Sequence, residues 1–177
     1  MFEMDYFLII WLRDEIESFS IWYSNGGKDG LVCNNEKEIL CFLDESAALL
    51  YLSEKDLHLY DPKDAPTIYD IDRLEAWIHS DSATVDCNEI LNFWNMFTDV
   101  SYTTGVKFKG DKKKKLTNLI YNKLFYGLNL PSIKPEDEED WMPVWDKRQL
   151  KIMKSIMENG LNILNQNFIY IPQYFAE

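Results

Sequence analysis

An α+β fold is what this sequence predicts, with an N-terminal antiparallel β-meander of hairpins followed by a mostly helical C-terminal part. Short apolar runs rich in aromatic and β-branched residues occupy the first 43 residues, and from about residue 45 onward apolar side chains recur at helical spacing. Strands gathered before helices point to α+β rather than to alternating βαβ units. The length of 177 residues suits a single domain, 1–177, able to bury roughly 70% of the surface its unfolded chain exposes.

The runs YFLIIWL at 6–12 and FSIWYS at 19–24 read as strands, and NGGKDG at 25–30 is a turn cluster after the second. LVC at 31–33 and EILCFL at 38–43 flank polar residues 34–37, the pattern of a hairpin with a polar loop. In LDESAALLYLSEKDL the period changes: Ala47, Leu50 and Tyr51 share a helical face, with Asp44 or Ser46 able to cap it. Two prolines in HLYDPKDAP end that helix. Next, TIYDIDRLEAWIHS places Ile71, Leu74, Trp77 and Ile78 on one face, capped by Asp70 or Asp72.

DCNEILNFWNMFTDV announces a longer helix, in which Asp86 and Glu89 have capping-box spacing and Ile90, Leu91, Trp94 and Phe97 form the apolar stripe. Helical patterns continue at 114–128 and at 146–166, the latter through Leu150, Met153, Ile156, Met157, Leu161 and Leu164. Gly160 is expected to weaken that last helix or end it early. Between these two helices runs a long acidic loop, 129–145, and connections of that length commonly carry function.

The net charge of −12 is distributed unevenly. Residues 1–104 hold 21 acids against 6 bases, residues 105–126 hold 1 against 7, and residues 127–177 hold 8 against 5. A field of that sign repels phosphate backbones, so nucleic acid is not the expected partner and a basic protein is. The lysine cluster 112–115 in KFKGDKKKKL is the local exception, and such a run at a loop-to-helix junction is expected to lie in solvent.

Other classes are disfavoured by what the chain lacks. It contains no GxSxG, GxxxxGK[ST], GxGxxG or HExxH, and no HxE with CxxC, so no catalytic residue is assigned and an enzyme is not expected. Cys33, Cys41 and Cys87 form no CxxC pair, and with only His58 and His79 beside them no metal site or cofactor is expected. Cys87 with His79 lacks an orienting third group. Asp70 and Asp72 are accounted for as caps, and the acidic run 136–140 has no glycine for a calcium-loop turn. Acids at Glu3 and Asp5, and an apolar run too short to span a bilayer, argue against a signal peptide or membrane association. Reduced thiols fit a cytoplasmic protein.

The stretch PEDEEDWMPVWDKR concentrates the remaining signal. Glu136, Asp137, Glu138, Glu139 and Asp140 directly precede Trp141, and Trp145 and Asp146 follow within one turn's length. Tryptophan supplies contact area and stacks on arginine, while carboxylates pair bidentately with guanidinium, so these eight residues are the candidate surface for a basic partner. The competing reading has the tryptophans stapling the loop to the core while the acids face the positive end of the next helix.

A small, acidic chain without catalytic motifs, with segments such as EILCFLDESAALLYL and DIDRLEAWI followed by CNEILNFWNMFTDV, resembles the immunity proteins of bacterial polymorphic toxin systems, including those of contact-dependent growth inhibition. The resemblance is one of type and assigns no residue. It implies stoichiometric inhibition of a cognate toxin domain, often a basic nuclease, by covering its active site or substrate cleft. The alternatives are an acidic adaptor or nucleic-acid mimic that binds another basic protein, or an enzyme whose residues carry no signature.

Overall fold

The computed structural model of the chain describes residues 4–61, 65–111, 113–134 and 139–171. Among the described residues, six strands and five helices follow one another: β1 (Asp5–Arg13), β2 (Ile16–Ser24), β3 (Gly30–Leu31), β4 (Ile39–Phe42), α1 (Glu45–Glu54), β5 (Thr67–Asp70), α2 (Ile71–His79), α3 (Cys87–Thr104), α4 (Lys115–Tyr126), α5 (Lys147–Gln166) and β6 (Phe168–Ile171). The α+β class read from the sequence is the one observed.

β1 and β2 pair antiparallel along their whole length, from Asp5 opposite Ser24 to Arg13 opposite Ile16. Asp14 and Glu15 join them with φ of 51° and 61°, the double left-handed geometry that matches strand twist in a two-residue hairpin. β2 also pairs antiparallel with β3 and with β4. The predicted 31–33/38–43 hairpin is present: Cys33 bridges Ile39, and the Asn34 side chain accepts from the backbone N–H groups of Glu36 and Glu38 at 2.9 Å each.

The sheet is buried on both faces, which explains why YFLIIWL runs apolar without alternation. Leu8, Ile10, Phe19, Ile21, Leu40 and Phe42 face α1, where Ala47, Ala48 and Leu52 pack on them. The intervening residues Ile9, Trp11, Ile39 and Cys41 face the larger cluster formed with α2 to α5. On that second face the Trp11 indole N–H donates to Ser20 Oγ at 3.0 Å, and the Ser20 hydroxyl donates to the Leu40 carbonyl at 2.8 Å.

The starts of α1, α2 and α3 follow the predicted chemistry, and Asp146, read from the sequence as a partner-binding residue, caps α5 in the same way. Asp44, Asp70, Asp86 and Asp146 each accept the N–H three residues on, at 2.7 to 3.0 Å. Only Asp146 completes a reciprocal capping box, with Gln149, whereas the Glu89 side chain instead pairs with Arg73 at 3.1 Å. α4 begins without a side-chain cap.

Three features depart from the sequence-based expectation. β5 and β6 add parallel strands at the two edges of the sheet, beside β1 and β4 respectively, so the sheet is mixed rather than purely a meander. Each is four residues long and only partly buried, too short to show a period of its own. Gly160 neither ends α5 nor sits in solvent: a Cβ there would lie 2.1 Å from Phe97 Cδ2, so the missing side chain is what lets α5 close on α3.

Candidate functional site

The start of α5 organises the region singled out in the sequence. Because Asp146 caps the helix, the chain enters it extended, and Trp145 turns inward against the core cluster. Lys123 of α4 lies with Nζ 4.6 Å from the Trp145 ring centroid. The same ammonium donates to Gln149 Oε1 at 3.0 Å and to the Val144 carbonyl, tying α4, the loop and α5 together. Trp145 and Asp146 thereby serve the fold, as the stapling alternative holds.

Trp141 behaves differently. Its backbone is fixed: Trp141 N–H donates to Asn129 Oδ1 at 2.8 Å, and its carbonyl accepts from Asn129 Nδ2 at 3.1 Å. The residue is nonetheless 46% exposed, beside Met142 at 81% and Tyr126 of α4 at 56%. Leu119, Leu130, Ile133 and Val144 are exposed as well. Trp141 lines three adjoining depressions, which link it to Leu119, Tyr126, Ile133, Leu130 and Met142. Trp141 thus presents an exposed aromatic side chain from a backbone held by two hydrogen bonds, amid further exposed apolar residues.

Glu139 and Asp140 stand at the rim of this surface, together with Lys115, Lys123 and Lys134. Glu139 and Asp140 are both exposed, Glu139 beside Tyr126, Ile133 and Trp141, and Asp140 paired with Lys134. Glu136, Asp137 and Glu138 lie outside the described residues. Of the eight sequence candidates, the structure therefore brings Glu139, Asp140 and Trp141 to one surface. The apolar partners on α4, Leu119 and Tyr126, were not singled out in the sequence. Their signal was available: within helix 115–126 they lie on the face opposite the buried Thr117, Ile120 and Leu124.

The lysines of the 112–115 cluster that are described, Lys113 to Lys115, are exposed, and Lys113 pairs with Asp111 at 3.3 Å. The three thiols are free, and burial raises the pKa of each. Among the described residues, no group of three or more His, Cys, Asp or Glu is placed to share a metal ion. No helix among them is long and apolar enough to cross a membrane.

A polar region that the sequence reading missed lies between the sheet and α3. Asn92, Asn95, Met96 and Asp99 share one face of that helix, opposite Phe7 and Trp22. The Trp22 indole N–H donates to Asp99 Oδ2 at 2.9 Å. Burial pushes the Asp99 carboxyl up to about 6; the Trp22 hydrogen bond opposes the rise and the nearby Asp29 adds to it. The spacing of 3 and 4 between Asn92, Asn95 and Asp99 was the available signal.

Compared with known proteins, no family model matches this chain and no curated protein matches it. Among solved structures, the C-terminal domain of SatS, crystallised in complex with bromine, superposes with a TM-score of 0.52 at 9% identity, covering 94% of each chain. That similarity concerns the fold alone.

Proposed function

We propose that this protein is a stoichiometric inhibitor of the immunity type, which binds a basic toxin domain in the cytoplasm through the surface centred on Trp141. The observation that carries this reading is the exposed apolar surface of Trp141, Met142 and Tyr126, with the Trp141 backbone held by Asn129 and a mixed charged rim of Glu139, Asp140, Lys115, Lys123 and Lys134. Patches of this kind on monomers mark protein contacts. An aromatic centre with a charged rim is the anatomy of a specific interface, where the buried rings supply affinity and the rim supplies steering. A net charge of −12 favours a basic partner over nucleic acid.

The test compares the wild-type chain with a Trp141→Ala, Met142→Ala, Glu139→Lys triple variant as baits in lysate of the native cells, washed at low and high salt. Expected is one basic protein that survives the high-salt wash on the wild type and is absent from the variant. Expressed alone, that protein should arrest growth, and co-expression of the wild type but not the variant should restore it. The reading fails if the variant captures the same protein equally well, or if the captured protein is harmless. Loss of several proteins together as salt rises would favour the acidic adaptor instead.

A further inference from the structure

The cleft between the sheet and α3 encloses about 440 Å³ and is separate from the Trp141 surface. One side is aromatic: the Phe7 and Trp22 rings lie 5.2 Å apart, and Tyr69 of β5 continues the wall. The other side is the polar face of α3, with Asp99 at its end and Asp29 nearby. Among the described residues no Lys, Arg or His lines this cleft, and no ion pair reaches Asp29 or Asp99. Asp99 Oδ2 takes the Trp22 indole N–H, and Asp29 Oδ1 takes the Ser24 hydroxyl at 2.7 Å. Both donors are neutral, and each engages one carboxylate oxygen, leaving Asp99 Oδ1 and Asp29 Oδ2 without a hydrogen bond among the described residues.

The fold alone does not account for this arrangement. A neutral amide at 99 would accept the Trp22 N–H equally well and would avoid withdrawing a charge from water beside a second carboxylate. Aromatic faces backed by uncompensated carboxylates are the chemistry that recognises organic cations: the rings stack on the flat or methylene body while the oxygens pair with N–H groups. The cavity is in the range that small ligands and inserted side chains occupy. We propose that this cleft is a binding site for a guanidinium or alkylammonium group, paired with Asp99 and Asp29 and packed against Phe7, Trp22 and Tyr69.

Such a group belongs either to a free small molecule or to a side chain of a polypeptide. The test follows the Trp22 indole N–H resonance of the full chain by ¹⁵N NMR, assigned through Trp22→Phe, during titration with agmatine and with the capped peptide Gly-Arg-Gly. The same peptide with neutral citrulline in place of arginine is the control. Expected is a saturable shift with a cationic probe and none with citrulline. Asp99→Asn, which keeps an acceptor for Trp22, should weaken binding at least about tenfold, and Asp29→Asn by a smaller factor. Binding of the peptide but not agmatine identifies a polypeptide source, and the reverse a free small molecule. The proposal is overturned if neither cation gives a saturable shift up to about 10 mM, where even millimolar affinity would register. Equal binding of the citrulline peptide overturns it too, as does unchanged affinity in both Asn variants.

Discussion

Trp141 and Trp145 stand four residues apart in the same loop, yet one is presented and the other is consumed. Trp145 lies against the core beneath Lys123, one residue before Asp146, the cap of α5. Trp141 has its backbone clamped by Asn129 while its ring stays out. The difference shows that an aromatic near a helix start serves the fold only where neighbouring elements close over it. Here α4 supplies Lys123 over Trp145, and supplies the exposed Tyr126 beside Trp141.

The largest effect should come from Trp145→Ala, which removes the inward ring and its contact with Lys123. A loss of about 2–3 kcal/mol is expected in chemical denaturation, somewhat below the ~3–5 typical of fully buried tryptophan. If stability were unchanged, the contrast between the two tryptophans would collapse.

Next in size is Asp99→Asn, which tests whether the carboxylate in the cleft costs the fold anything. The Asp99 carboxyl titrates at about 6 in the native state against 3.8 as its ordinary value. Between those limits the native state holds a proton that the unfolded chain has released, so stability falls as pH rises from about 4 to about 6 and stays lowered above that. The variant should lose this slope. At pH 7 it should be more stable than the wild type by on the order of 2 kcal/mol, with the two curves meeting below about pH 4. Denaturation midpoints measured across that range decide it, and a parallel pair of curves would remove Asp99 as the cause.

Asp146→Ala should cost about 1 kcal/mol through loss of the α5 cap, and Asp146→Asn should restore most of it. Binding to a partner should follow stability in that pair. Trp141→Ala should be the mildest for the fold, changing stability by less than about 0.5 kcal/mol, since an exposed side chain leaves no cavity behind. Its effect belongs in binding: loss of the high-salt-resistant partner with an unchanged melting temperature. A melting temperature lowered as far as that of Trp145→Ala would place Trp141 in the fold as well.

Much of this molecule was legible before any coordinates. The strands around YFLIIWL and FSIWYS, the 34–37 hairpin loop and the Asp44, Asp70 and Asp86 caps all depend on residues within a few positions of one another. Local chemistry of that kind is encoded locally, through side-chain oxygens reaching the N–H groups of the next turn and through periods of 2 or 3.6. The acidic and aromatic character of residues 136–146, and with it the expectation of a basic partner, came from composition alone.

What composition could not decide was which side each residue would face. TIYD joins β1 and FIYI joins β4 through parallel pairing across long stretches of chain, so neither short segment carries a sign of its neighbour. Gly160 reads as a weak point in its own helix and becomes the place where Phe97 fits. Trp141 and Trp145 have similar surroundings in sequence, and only the packing of α4 against α5 separates them. Likewise the polar face of α3 becomes a cleft because β1, β2 and β5 bring Phe7, Trp22 and Tyr69 opposite it. Backbone conformation is set by near neighbours, and those the sequence specifies; burial is set by whatever the rest of the chain brings alongside, and that only the tertiary structure decides.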